Sequence, residues 1–125
     1  FVEYIPVEEM TKDLVITETQ RPVLASILES FRERFPGLFI SFPGDEEVFG
    51  GCLSAGRGFI HISAGGDLEP CPFAPYSDTN IRELSLKEAL RSGLLCEIRK
   101  NHGELSETKG GCALWEKRDW VMSLL

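Results

Sequence analysis

The sequence predicts an α+β chain: a βα unit of α/β character, followed by a small β-hairpin and helices. Three observations predict it. Residues 2–7, 18–35 and 38–42 read in turn as strand, helix and strand, the order of a βα repeat on a parallel sheet. Glycines then crowd between Gly50 and Gly66 around a short alternating run, which marks a hairpin. Helical spacing of apolar residues returns from Ser85 onward.

The first element is Val2-Glu3-Tyr4-Ile5-Pro6-Val7, followed by an acidic loop from Glu8 to Asp13. A chain seldom begins inside a core element, so a start at Phe1 is expected of a piece cut from a longer protein. Thr17 with Gln20 three residues later forms a capping box, and Pro22 is tolerated in the first helical turn. Val23, Leu24, Ile27, Leu28 and Phe31 recur at helical spacing until Pro36-Gly37 ends the helix. Leu38-Phe39-Ile40-Ser41-Phe42 reads as the next strand, stopped by Pro43-Gly44. The texture changes there, which divides the chain into residues 1–43 and 44–125.

In the second part, Phe59-Ile60-His61-Ile62-Ser63 alternates as a strand does, Gly65-Gly66-Asp67 supplies the turn, and Leu68-Glu69 begins the return strand. Ser85 with Glu88 is a second capping box, opening a helix through Leu86, Ala89 and Leu90 that Gly93 interrupts before Leu94, Leu95 and Ile98. After a polar loop, Gly110-Gly111-Cys112 leads into an amphipathic end with Leu114, Trp120, Val121, Leu124 and Leu125.

Of 125 residues, 42% are hydrophobic and 26% charged, ordinary for a globular chain with one modest core. A net charge of −7 lacks the basic face that a nucleic-acid partner requires. No apolar run reaches bilayer-spanning length and none resembles a signal-peptide core, so the expectation is a cytoplasmic protein without a membrane partner.

The chemistry lies in four cysteines, Cys52, Cys71, Cys96 and Cys112. A metal cluster needs thiolates that converge from separate loops, with little bulk around the sulfurs. Cys52 and Cys112 each follow a Gly-Gly pair, which lets backbone approach closely. Cys71 sits between Pro70 and Pro72, which hold its backbone extended. The hairpin between Cys52 and Cys71 returns the second thiol towards the first. Cys96 belongs instead to the helical run Leu94-Leu95-Cys96-Glu97-Ile98, about 200° around the helix from Leu94, and so points away from the core stripe.

The run Gly51-Cys52-Leu53-Ser54-Ala55-Gly56, Phe59-Ile60-His61-Ile62 and Gly66-Asp67-Leu68-Glu69-Pro70-Cys71-Pro72 resembles the SPASM/twitch domain of radical S-adenosylmethionine (radical SAM) enzymes. Cys52 is followed by thirteen residues to Gly66 and four more to Cys71, which matches the opening of that motif. Asn80-Ile81, Ser85-Leu86 and Gly111-Cys112 fall where the family places them, and the likeness covers residues 50–120. The resemblance implies that residues 1–43 are the last βα part of a partial TIM barrel and that 44–125 bind an auxiliary 4Fe-4S cluster. Its ligands would be Cys52, Cys71, Cys112 and Cys96. It further implies a parent enzyme of peptide or protein maturation or of metallocofactor assembly, acting on a peptide or small-molecule substrate. The full SPASM pattern carries more cysteines than this chain, which fits the shorter twitch form. The radical SAM signature CxxxCxxC is absent, so this stretch is not expected to be catalytic alone. S-adenosylmethionine and a second 4Fe-4S cluster would belong to the missing part of the parent.

Plainer readings stand beside this one. Buried cysteines also serve as small hydrophobes. The same thiols could hold structural zinc, although the paired C-x2–4-C knuckles usual for zinc are missing, and Cys52 and Cys71 could pair as a disulfide. His61 on the strand is expected to be half-exposed, with metal or substrate contact as the alternative. Asp67 and Glu69 are read as serving the turn and its exposed face, and Trp115 and Trp120 as packing the terminal helix.

Overall fold

The computed structural model describes residues 9–35, 37, 50–105 and 112–125. Within them the chain is an α+β assembly of short helices around one two-stranded antiparallel sheet. The expected strands at residues 2–7 and 38–42 lie outside the described residues, and with them the parallel βα unit.

A 3-10 turn, Glu9–Leu14, precedes helix α1, Arg21–Arg34. The capping box forms as its residues dictate: the Thr17 backbone N–H donates to Gln20 Oε1 at 2.8 Å, and the Gln20 N–H donates back to Thr17 Oγ1 at 3.3 Å. Proline occupies the first turn, where no N–H is needed. The burial of the apolar stripe differs from expectation. No residue of α1 is buried; Val23 is 60% exposed, and Ile27, Phe31 and Phe35 are exposed too. Periodicity specifies a helix with one apolar face, but not what covers that face.

The hairpin follows the sequence reading. Strand β1, His61–Ile62, pairs antiparallel with β2, Leu68–Glu69, in the register His61↔Glu69 and Ile62↔Leu68. Gly66 turns the chain between them at φ +91°, a conformation that L side chains rarely adopt. Asn80 locks this turn from outside. Its Nδ2 donates to the Gly65 carbonyl at 3.0 Å and to Asp67 Oδ1 at 2.9 Å, while its Oδ1 accepts from the Arg82 N–H at 2.9 Å. A Cβ at Gly66 would lie 2.7 Å from Asn80 Oδ1. Gly66→Ala is therefore expected to cost about 1–3 kcal/mol, by strained backbone and a displaced Asn80. Gly103→Ala, where nothing lies within 4 Å of the added Cβ, is the control. Equal urea midpoints for the two variants would refute the argument.

Three devices build the helices after the hairpin. Ser85 and Glu88 close their capping box over α2, Leu86–Ala89. The helical run does break, but before Gly93: α2 ends at the Leu90 cap, and α3, Gly93–Lys100, begins at Gly93 after the Ser92 cap. Two acceptors hold the α3 N-terminus: Ser92 Oγ accepts from the Leu95 N–H at 3.2 Å, and Asp78 Oδ2 accepts from the Leu94 N–H at 2.9 Å. A carboxylate at this end also meets the positive end of the helix dipole. The last segment is two short helices, α4, Ala113–Glu116, and α5, Arg118–Met122, rather than one.

The Glu88 carboxyl is held below its usual range, first by the hydrogen bond from the Ser85 hydroxyl and second by the Ser85 backbone N–H. A group depressed in the folded state contributes stability above its unfolded pKa and loses it as pH falls through the folded value. Melting temperature is thus expected to fall as pH drops below the ordinary Glu value of 4.5. The decline should be shallower in Glu88→Gln, because the group is exposed and one among several carboxylates. Parallel pH–melting curves for the two proteins would contradict this.

The core gathers Ala55, Leu68, Ala74, Ala89, Leu94, Leu95, Ile98, Leu105, Leu114, Trp115 and Val121, with Cys52, Cys71 and Cys112 among them. Trp115 and Trp120 pack the terminal helices as expected, and the Arg118 guanidinium lies 4.5 Å from the Trp115 ring centre. Among the described residues, no helix is long and apolar enough to cross a membrane.

Candidate metal centre

Cys52 sits on a loop tied down at several points. Gly51 before it has φ +99°, which turns the chain sharply into the core. The Cys52 N–H donates to the Leu105 carbonyl at 3.3 Å, and Arg57 Nη1 donates to the Cys52 carbonyl at 2.6 Å. Three residues on, Ala55 is fully buried at φ +56°, a left-handed conformation that costs a non-glycine residue about 1–3 kcal/mol unless its surroundings enforce it. Here they do. The Ala55 N–H donates to the Pro70 carbonyl at 3.0 Å, and Arg99 Nη1 donates to the Ala55 carbonyl at 2.7 Å.

The Ala55–Pro70 bond is the geometric link between two thiol-bearing segments, because Pro70 immediately precedes Cys71. Cys71 then opens a tight turn in which the Ala74 N–H donates to the Cys71 carbonyl at 3.0 Å. Cys112 stands at the start of α4. Cys52, Cys71 and Cys112 are 5%, 4% and 5% exposed, and all three belong to the same core cluster. All four cysteines carry thiols, so the expected alternative of a Cys52–Cys71 disulfide does not occur here.

Cys96 stands apart. It lies on the flank of α3, half-buried and outside that cluster, with Arg99 Nη2 donating to its sulfur at 3.1 Å. The Arg99 guanidinium also donates to the Leu90 carbonyl at 2.8 Å. The three buried thiols belong to one hydrophobic core, and Cys96 is not among its residues.

As donors, three thiols held away from water suit a soft metal or an iron–sulfur centre. Among the described residues, no three Cys, His, Asp or Glu side chains are grouped so as to hold a metal ion. The three thiols suit such a group in kind and in burial, but as they stand they do not form a group able to hold it.

Two polar residues were not legible as parts of this region. Glu69, expected on an exposed face, is buried at 8%, and its Oε2 lies 2.7 Å from His61 Nδ1 across the hairpin. The direct His61↔Glu69 register puts the two side chains on one face, where the imidazole partners the carboxylate. His61 is half-exposed as expected. Ser54 is 1% exposed, and its Oγ accepts from the Cys52 thiol at 3.2 Å. Small-residue spacing around Cys52 marks a turn, but nothing local in the sequence marks this hydroxyl as a partner of the sulfur.

No known protein family, curated protein or solved structure matches this chain.

Proposed function

We propose that this chain is the auxiliary 4Fe-4S cluster-binding region of a radical SAM enzyme of SPASM/twitch type, with Cys52, Cys71 and Cys112 as thiolate ligands. The observation that carries the reading is that three cysteines far apart in sequence are buried in one core cluster. Two of them sit on loops held rigid by left-handed glycines, prolines and arginine-to-carbonyl bonds. Backbone held firmly at thiol-bearing loops supports the reading, because a cluster site needs its ligand sulfurs in fixed positions.

The group, when bound, would conduct electrons or anchor substrate in the parent. The residues of this chain bind it and exclude water. On this reading the segment up to residue 43 completes a partial barrel. The parent is cytoplasmic, takes a peptide or small-molecule substrate in peptide maturation or metallocofactor assembly, and supplies CxxxCxxC and S-adenosylmethionine itself. With three cysteines in the core, the fourth iron is held by a non-cysteine ligand or left open to substrate.

Anaerobic reconstitution with iron and sulfide tests the proposal. The expected product is brown, with iron and acid-labile sulfide in cluster stoichiometry and visible absorption that bleaches with reductant. A colourless protein carrying stoichiometric zinc would replace the proposal with the structural-zinc reading, and one that takes up no metal at all would end both.

A further inference from the structure

We infer that Cys52, Cys71 and Cys112 serve the fold itself as apolar core side chains, and that this core closes without a metal among them. The inference departs from the cluster-binding reading on that one point, since the family likeness asks these sulfurs to converge on a centre. Among the described residues, no three Cys, His, Asp or Glu side chains are grouped so as to hold a metal ion. Each of the three thiols instead lies 4–5% exposed in one hydrophobic cluster with Leu68, Leu94, Leu95, Ile98 and Leu114. A buried thiol packs well there as a small hydrophobe. The Cys52 S–H donates to Ser54 Oγ at 3.2 Å, so the protonated sulfur has a partner in a hydroxyl that is itself 1% exposed.

A domain whose fold depends on a metal draws its folding free energy from the metal bonds and is unfolded without them. Here the segments that carry the thiols are held by protein groups. The Leu105 carbonyl accepts from the Cys52 N–H at 3.3 Å, the Pro70 carbonyl accepts from the Ala55 N–H at 3.0 Å, and Arg57 Nη1 donates to the Cys52 carbonyl at 2.6 Å. The Cys71 carbonyl accepts from the Ala74 N–H, and the Cys112 carbonyl from the Glu116 N–H, both at 3.0 Å. These bonds and the surrounding leucines fix the three segments whatever the sulfurs bind. Buried thiols of this kind are inert until the structure opens, whereas Cys96, half-buried and outside the cluster, is within reach of a reagent.

The test uses the full chain, reduced and stripped of metal with a chelator, and reads thiol reactivity with Ellman's reagent alongside thermal melting. One thiol per chain should react at once, and none in Cys96→Ala. The other three should lag by at least about 100-fold and react together once urea unfolds the chain. The stripped chain should melt cooperatively. Cys71→Ser, which puts a hydroxyl into the apolar cluster, should melt below Cys71→Ala, whereas for a residue kept only as a ligand the two substitutions are equivalent. Rapid reaction of all four thiols, melting without cooperativity, or equal midpoints for the two Cys71 variants would overturn the inference and leave the cluster reading standing. A stripped chain that protects three thiols yet afterwards takes up no iron–sulfur upholds the inference and ends the cluster reading, so the two failures are told apart.

Discussion

Alanine at Cys71 is expected to leave the chain colourless after reconstitution with iron and sulfide, while alanine at Cys96 leaves it brown. Cys71 is 4% exposed, in the same cluster as Cys52 and Cys112 and directly after the Pro70 carbonyl that anchors the Cys52 loop. Removing one of three thiolates takes away a whole ligand, a larger loss than the roughly 10–100-fold change in affinity typical of outer-sphere partners. Cys96 has a guanidinium against its sulfur and lies outside the buried set, so losing it should leave iron content within about twofold of wild type. Cys52→Ala and Cys112→Ala belong with Cys71→Ala. Iron and sulfide per chain, with the visible spectrum, give the answer. Full iron retention in Cys71→Ala would make that residue core filler, and loss in Cys96→Ala would require α3 to turn its flank towards the other thiols.

The largest effect on stability is expected at Leu68, the centre of the hairpin that separates Cys52 from Cys71. Leu68 is fully buried, and its backbone N–H is taken by the Thr79 carbonyl at 3.0 Å, so the strand has little freedom to collapse around a void. Leu68→Ala should cost about 3 kcal/mol, from lost transfer energy together with the cavity left behind. Its cross-strand partner Ile62 is 42% exposed, and Ile62→Ala should cost only about 0.5 kcal/mol. For a chain of this size, whose total stability is on the order of 5–15 kcal/mol, the first is a large fraction and the second is near the limit of detection. Urea denaturation of both variants separates them. Comparable midpoints would mean that the hairpin does not pack through β2.

The local elements were readable from the sequence because their determinants sit three or four residues apart. Thr17 with Gln20 and Ser85 with Glu88 form their boxes whatever the rest of the chain does. Gly66 marks the turn and Ser92 caps the restarted helix for equally local reasons, φ above zero in the first case and a side-chain acceptor for the Leu95 N–H in the second. The hairpin itself followed from alternation and the Gly65-Gly66-Asp67 turn signal. The reading of Cys96 as pointing away from the core stripe rested on the same helical geometry, and its place on the flank of α3 agrees with it.

What tertiary structure alone decided involves partners distant along the chain. Asp78 caps a helix that begins fifteen residues later, and Arg99 reaches back to the carbonyl of Ala55. Glu69 is buried because the hairpin lays His61 across from it and the core closes behind Leu68. The exposed stripe of α1 makes the same point in reverse, since an apolar face is a property of the helix whereas its cover is a property of the fold. Sequence by itself determined which residues can turn, cap or alternate, because those are short-range covalent and steric preferences. Only the folded chain decided which of them meet, because burial and hydrogen bonding between distant segments depend on how the whole core closes.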